Sequence, residues 1–122
     1  MARVYSIGAS HGAEEVVFHL RSISVAEENR FTARFASISD SESEETKALQ
    51  EFEILVDSIA SWSEKEPTIK KNGVVVDPEQ QFESPAQAVK AYFEKPSNEK
   101  ERTAQQVILQ YRRKLQPNVV FY

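Results

Sequence analysis

The side chains best suited to acid–base or nucleophilic chemistry are few in this chain. His11 directly follows Ser10, and Asp40 is a candidate for the acid that would orient the imidazole. A catalytic Ser-His-Asp arrangement needs the base beside the nucleophile, together with donors for the oxyanion. Adjacent loop residues seldom face each other in this way, and no segment supplies an oxyanion hole. The other histidine, His19, falls on the outward side of a predicted strand, where an ordinary surface histidine is expected. We therefore predict that the chain is not an enzyme.

Patterns typical of phosphate, calcium and zinc sites are incomplete. Gly8 and Gly12 follow a predicted strand, but the lysine and hydroxyl residues that complete a P-loop are missing. The carboxylates of residues 40–53 lack the central glycine of an EF-hand loop. The chain has no cysteine, which excludes a disulfide and a zinc–cysteine site. No cofactor and no metal are predicted.

Two features near the C-terminus indicate protein binding. Arg112 and Arg113 form a basic cluster with Lys114 at the end of a predicted helix, where cations complement the helix dipole or contact an acidic partner. The apolar residues 119–122 either fold back as an edge strand or stay exposed and add a strand to a partner. The predicted partner-binding residues are Arg112, Arg113, Val119, Val120, Phe121 and Tyr122.

The overall composition fits one soluble domain. With 122 residues, of which 40% are hydrophobic, the chain can fill one modest core. We predict a single domain over residues 1–122, with an apolar tail at residues 118–122. No run approaches the roughly 18 apolar residues that a membrane helix needs, and the first ten residues lack the apolar stretch of a secretion signal. A cytoplasmic protein that does not bind membranes is the expectation.

Charge is unevenly distributed. Residues 1–60 carry five basic and eleven acidic side chains, whereas residues 61–122 carry ten basic and eight acidic ones. The net charge of −4 argues against nucleic-acid binding, which depends on clustered Lys and Arg. The two halves either attract each other, within one chain or between copies, or form two solvated surfaces. A homo-oligomer therefore stays an open alternative.

An N-terminal β-hairpin is predicted from the alternation of apolar and polar side chains. In residues 15–21 the apolar side chains occupy every second position, apart from Val17, as in a strand with one buried face. Residues 2–7 supply the partner strand, and the two glycines of residues 8–12 indicate a longer turn. The inward residues of the second strand are Val16, Phe18 and Leu20.

Two helices are predicted next, each introduced by a Ser-x-x-Glu capping box. Ser24 and Glu27 start the first helix. Ser41 and Glu44 start the second, which should reach Trp62 as the central helix of the core. The apolar stripes are Phe31, Phe35 and Ile38 in the first helix, and Leu49, Phe52, Leu55, Val56, Ile59 and Trp62 in the second.

The second half of the chain completes the predicted fold. An Asn-Gly pair within residues 68–76 predicts a short hairpin, because both central residues of a type I′ turn need positive φ. This hairpin either pairs with the N-terminal hairpin or extends away from it as a separate arm. Ser84 before Pro85 predicts a third helix, and a fourth is expected from Asn98 to about Leu115. The fold class is α+β, mainly α-helical, with about four helices, an N-terminal β-hairpin and a short mid-chain β-hairpin.

Three segments of the sequence together match the pattern of a known protein family. Residues 18–28 read FHLRSISVAEE, a helix follows that ends in Ile-Ala-Ser-Trp at residues 59–62, and Phe-Glu-Ser-Pro stands at residues 82–85. From residue 15 to about 115 this pattern resembles the small tail assembly chaperones of long-tailed bacteriophages. The shared positions are fold-forming ones, so no binding residue carries over.

The resemblance implies a non-enzymatic role in the host cytoplasm. Such chaperones coat the tape-measure protein during tail assembly, keep it soluble and help recruit tail-tube subunits. The alternative is a structural virion subunit, a tail-tube or tail-completion protein that self-assembles into rings, for which more strand is expected. A small enzyme or regulator from outside phage biology ranks third.

Overall fold

The part of the chain that the structure describes contains four helices and a four-stranded sheet, with helices packed against one face of that sheet. The computed structural model describes residues 4–11, 13–77, 81–94 and 100–115. The strands are β1 (Val4–His11), β2 (Glu14–Arg21), β3 (Ser63–Lys71) and β4 (Val74–Val76). The helices are α1 (Val25–Ala36), α2 (Glu44–Trp62), α3 (Pro85–Glu94) and α4 (Lys100–Leu115). The predicted mixed α+β class is confirmed.

The strands form one antiparallel sheet in the order β1-β2-β3-β4. The two predicted hairpins are therefore not separate, because β3 pairs with β2 from Lys71 opposite Glu14 to Ser63 opposite Leu20. β3 begins directly where α2 ends. The residues between the second helix and the mid-chain turn thus form the strand that joins both hairpins.

Pro67 lies within β3, where a sequence pattern indicates a break because proline has no N–H to donate. Two local features allow a proline at this position of the strand. The register between β2 and β3 shifts between Val17 and His19, close to this proline. On the other side, β4 pairs only with residues 69–71. The proline therefore falls outside the regular part of the hydrogen-bond ladder.

The turn predicted at residues 8–12 is wrong over residues 8–11, because β1 continues to His11, and residue 12 lies outside the described residues. Gly8 pairs with Val17, and pairing reaches His11 opposite Glu14. A Cβ placed on Gly8 would meet its nearest neighbour, the carbonyl oxygen of Val16, at an ordinary 3.7 Å. This glycine is accommodated as a strand residue and is not there to make a turn.

The inner face of the sheet carries the core. Val16, Phe18 and Leu20 are fully buried, which confirms the alternation that predicted β2. The ring of Phe18 stacks on Phe93 and meets Tyr92 edge-on, with centroids 5.7 Å apart in both pairs. On α4, helical spacing predicts an apolar face of Ala104, Ile108, Tyr111 and Leu115, with Val107 beside them. Of these, Ala104, Val107, Ile108 and Tyr111 are buried, and the side chain of Leu115 lies outside the described part of the chain.

Capping side chains fix the starts of the first two helices. The Ser24 hydroxyl accepts a hydrogen bond from the Glu27 N–H at 3.1 Å, and the Glu27 carboxylate accepts one from the Ser24 N–H at 3.2 Å. This confirms the first capping box. α2 begins at the predicted residue, but its cap is Ser43, which accepts from the Thr46 N–H at 3.2 Å. Ser41 lies in the preceding turn, so the second predicted capping box is wrong.

Two other local predictions are confirmed. Asn72 and Gly73, between β3 and β4, have φ values of 52° and 79°, the left-handed conformation that this turn requires. At the start of α3, the Ser84 hydroxyl accepts from the Gln87 N–H at 3.3 Å. The turn and the helix start each depend on contacts within a few residues, which is why the sequence pattern predicts them well.

The predicted core stripe of α2 is buried only in its second half. Leu55, Val56, Ile59 and Trp62 are buried, as predicted. Leu49 is 62% exposed, so its assignment to the core is wrong. The first buried residue of α2 is Ile54, and all ten residues before it in the helix are at least partly exposed.

Candidate partner-binding groove

An apolar groove lies between α1, α2 and α4, with a volume of about 350 Å³. Its walls are mostly aromatic and aliphatic, with a few polar side chains among them. The lining residues are Phe31, Thr32 and Phe35 from α1, Glu51 and Leu55 from α2, and Gln105, Ile108 and Leu109 from α4. Three helices that are distant in sequence therefore build one concave surface.

An aromatic cluster holds the α1 wall in place. The rings of Phe31 and Phe35 meet edge-on with centroids 5.0 Å apart, as expected for residues one turn apart. Phe31 also contacts Trp62 at the end of α2, at 5.4 Å. Phe31 is buried, whereas Phe35 is only half-buried and faces the groove. Phe35 is thus an apolar side chain that a partner could cover further.

The α4 wall combines a buried and an exposed apolar residue. Ile108 is buried, and its neighbour Leu109 is 53% exposed. The sequence pattern identified Ile108 as a core residue but missed Leu109. The available signal was a large apolar side chain on the polar side of the predicted helix. Polar rims around apolar walls are typical of surfaces that bind an amphipathic helix.

An ion pair fixes the start of α1 beside the end of α2. The Nη2 atom of Arg21 lies 2.7 Å from Oε2 of Glu27, and the same nitrogen donates a hydrogen bond to the Ser61 carbonyl at 3.4 Å. The hydrogen bond from Arg21, together with that from the Ser24 N–H, lowers the pKa of the Glu27 carboxyl to about 2. On its other side, the backbone carbonyl of Arg21 accepts a hydrogen bond from the Tyr111 hydroxyl of α4. This network links the elements that form the groove.

A second ionic link lies on the surface. Asp57 of α2 pairs with Arg34 of α1 at 3.1 Å and with Lys90 of α3 at 3.7 Å. All three side chains are about half exposed. Surface ion pairs of this kind contribute little to stability. Their role is to orient α1 and α3 on either side of α2.

His19 lies on the outward face of the sheet, as predicted, but it is half-buried and bridges three strands. Its Nδ1 is 3.3 Å from the Ser6 hydroxyl of β1, and its Nε2 is 3.0 Å from the Thr68 hydroxyl of β3. A hydroxyl cannot stabilise an imidazolium as the carboxylate of a catalytic triad does. The arrangement therefore supports strand pairing better than it supports catalysis.

The predicted partner-binding residues are only partly described. Arg113 is exposed on the last turn of α4. Arg112 belongs to the same helix, but its side chain lies outside the described part of the chain. Val119, Val120, Phe121 and Tyr122 also lie outside the described residues. Their binding role stays a prediction.

A metal-ligand cluster and a membrane-spanning helix are both absent from the described ranges. No group of three or more His, Asp or Glu side chains there is arranged to hold a metal ion. Within the same residues, no helix is long and apolar enough to cross a membrane. No protein-family model, no curated protein and no solved structure matches this chain. The groove between α1, α2 and α4 is the candidate site.

Proposed function

We propose that this protein is a tail assembly chaperone of a long-tailed bacteriophage. In this role it binds a helical segment of the tape-measure protein, keeps that protein soluble and helps to recruit tail-tube subunits. It performs no chemical reaction. The observation that carries the proposal is the apolar groove between α1, α2 and α4.

The groove has the chemistry that a helical client needs. A client helix presents apolar residues at i, i+3, i+4 and i+7, and these fit between the two walls formed by Phe35 and Leu109. Covering an exposed leucine or phenylalanine fully contributes about 1.5–3 kcal/mol. Glu51 and Gln105 add polar side chains to the groove lining. Such a groove covers apolar residues of a client that would otherwise aggregate.

The resemblance supports the same role in a different way. Of its matching positions, Phe18, Leu20 and Trp62 are buried, and Ile23 packs partly buried against the core. These residues maintain the fold that forms the groove and do not line it. Two independent features, a family-like set of core positions and an apolar groove between three helices, therefore favour a chaperone.

Co-expression with the tape-measure protein from the same source, followed by affinity capture, tests the proposal. The wild type should yield a soluble complex. Leu109→Glu should lose most of the captured client, because it places a charge on the groove wall. Leu49→Glu is the matched control, since Leu49 is similarly exposed but does not line the groove. Equal capture by both variants would contradict the groove as the client site.

A third variant that lacks residues 118–122 tests the predicted C-terminal contact. Loss of capture would place part of the client contact on that segment, and full capture would place the contact on the groove alone. The alternative role, a structural virion subunit, predicts a different result. The protein would then form stable rings or tubes by itself and capture no tape-measure protein.

A further inference from the structure

A second cleft borders α1 on a different side of the helix from the apolar groove. It has a volume of about 360 Å³ and lies between α1 and the buried half of α2. Among the described residues, Phe31 is the only one that lines both the cleft and the groove. The two spaces are therefore neighbouring but distinct, and we call the second one the polar cleft.

Charged side chains of α1 form one wall of the polar cleft. Glu27, Arg30 and Arg34 follow one another at intervals of three and four residues, which places them on one side of the helix. Both arginines are exposed, whereas Phe31, the neighbour of Arg30, is buried. This wall therefore offers positive charge near the solvent and an aromatic ring closer to the core.

The α2 wall adds a second aromatic ring and a hydroxyl. Ser58 and Trp62 lie one helical turn apart, and both are buried, at 6% and 4% exposure. The ring of Trp62 meets that of Phe31 with centroids 5.4 Å apart. The deep part of the polar cleft is therefore largely aromatic, with the Ser58 hydroxyl as its polar group.

The Ser58 hydroxyl opens into this cleft without a partner. Every side-chain oxygen or nitrogen that is fully buried in the described part of the chain has a hydrogen-bond partner. The Ser58 hydroxyl makes no hydrogen bond with any described residue, so it reaches the space that Ser58 lines. A polar group that is almost buried and unpaired is costly. A ligand that hydrogen-bonds to this hydroxyl would remove that cost.

Positive charge is in excess around the polar cleft. Asp57, which lines it, already pairs with Arg34 at 3.1 Å and with a lysine of α3 at 3.7 Å. Glu27 is paired with Arg21. Of the charged residues that line the cleft, Arg30 alone forms no ion pair within the described ranges. The charge that is missing from the cleft is therefore negative.

We propose that the polar cleft binds an organic carboxylate with an apolar body. The Arg30 guanidinium pairs with the carboxylate, the apolar body packs on Phe31 and Trp62, and the Ser58 hydroxyl hydrogen-bonds to a polar atom of the ligand. The volume of about 360 Å³ falls at the lower end of the range of small-molecule pockets, which begins at about 300 Å³. The ligand is therefore a small acid or a single terminal residue of a peptide.

A carboxylate fits the polar cleft better than a phosphate does. A phosphate carries up to two charges and is usually held by several cations or by a row of backbone N–H groups. The cleft has one unpaired guanidinium, and its aromatic walls favour an apolar body, which inorganic phosphate lacks. The proposed ligand thus uses both the charged and the aromatic parts of the lining.

Fluorescence of Trp62, the single tryptophan of the chain, tests the proposal directly. Purified protein without any client is titrated with phenylacetate. Emission should change saturably with a Kd of about 1 mM, as for a ligand of this size. Phenylacetamide, which has the same shape without the charge, should bind about tenfold more weakly, and inorganic phosphate should leave the emission unchanged. Equal binding of phenylacetate and its amide would overturn the role given to Arg30.

Amide resonances in nuclear magnetic resonance spectra make the titration decisive. Those of Ser58 and Ser61 should shift with phenylacetate even where the emission does not change, because both residues line the polar cleft. No saturable change in either signal up to about 10 mM ligand would overturn the proposal. That result would not bear on the apolar groove, because neither residue lines it.

A peptide that ends in phenylalanine with a free carboxylate presents the same chemistry from a protein. Tighter binding of this peptide than of phenylacetate, with loss of binding when its end is amidated, would assign the cleft to a chain end. Binding of phenylacetate alone would assign it to a small acid. Either result supports a carboxylate site.

Substitutions in the lining give the final test. Arg30→Gln should weaken phenylacetate binding by about tenfold or more, and Ser58→Ala by about threefold or more. Arg102→Gln is the matched control, because Arg102 is an exposed arginine of α4 that does not line the cleft, and it should bind like the wild type. All three variants should capture client normally, since none of these residues lines the apolar groove. Equal binding of phenylacetate by all three variants would overturn the proposed site.

Discussion

The two halves of α2 lie in opposite environments although they belong to one continuous helix. From Glu44 to Glu53 no side chain is buried, whereas seven of the nine residues from Ile54 to Trp62 are buried. The second half packs among α1, α3, α4 and the sheet. The first half contacts them only through partly buried side chains such as Phe52, and it presents Leu49 to solvent.

This difference shows that an apolar stripe in a sequence indicates which side chains can be buried. It does not indicate which part of the molecule, or which partner, covers them. The stripe of α2 repeats with helical spacing in both halves, since Leu49 and Phe52 continue the spacing of Val56 and Ile59. In the second half the partner is the protein's own core. In the first half Phe52 still packs partly buried against that core, with its ring 6.0 Å from that of Phe93, whereas Leu49 is 62% exposed and available to another molecule.

Truncation of a core residue should reveal the largest contrast between the two halves. Ile59 is fully buried, so Ile59→Ala leaves a cavity and should lower the free energy of unfolding by about 2–5 kcal/mol. Leu49→Ala should change it by less than about 0.5 kcal/mol, as for surface substitutions in general. Urea denaturation followed by circular dichroism measures both. A comparable loss in the two variants would mean that the first half of α2 is packed after all.

Removal of the cap at the start of α2 should lower the free energy of unfolding by a smaller amount. Ser43→Ala removes the side chain that caps the helix and should cost about 1 kcal/mol of unfolding free energy. Ser41→Ala is the matched control, because Ser41 lies two residues earlier and makes no capping bond to α2. If Ser41→Ala is the more costly change, the helix begins with the capping box that the sequence pattern indicates.

Local features of the fold could be predicted from the sequence because their causes lie within a few residues. The alternation of β2, the capping box at Ser24 and the positive φ values at Asn72 and Gly73 are all of this kind. The bounds of α2 were also correct. In each case a side chain satisfies or restricts the backbone near its own position.

Features that depend on distant residues could not be predicted in the same way. The pairing of β2 with β3 joins segments about fifty residues apart, as in the contact between His19 and Thr68. The full length of β3 was not predicted, because it contains Pro67 and a proline usually indicates the end of a strand. The groove arises only when α1, α2 and α4 come together, and the apolar Leu109 on the polar side of its helix does not by itself indicate which helices it will face. The sequence therefore predicted elements well, and their assembly and the candidate site poorly.

The ion pair at the buried end of α2 should give a contribution that depends on pH. The folded-state pKa of Glu27, about 2, lies below its ordinary value of 4.5 because Arg21 and the Ser24 N–H stabilise the carboxylate. The stabilisation is therefore fully present above about pH 4.5 and is lost as the pH falls towards about 2. At pH 7, Glu27→Gln should lower the free energy of unfolding by about 1 kcal/mol, because the pair is partly exposed and screened.

A matched substitution at the exposed end of α2 separates this effect from a general loss of negative charge. Glu44 pairs with Lys47 at 3.4 Å, but its side chain is 94% exposed. Glu44→Gln should therefore leave stability nearly unchanged at every pH. Urea denaturation of the wild type and both variants, repeated between pH 7 and pH 2, should show the wild type and Glu27→Gln converging at the acidic end. A constant difference between these two would mean that Glu27 acts through packing and not through its charge, and the ionic link between α1 and the buried half of α2 would then be incidental.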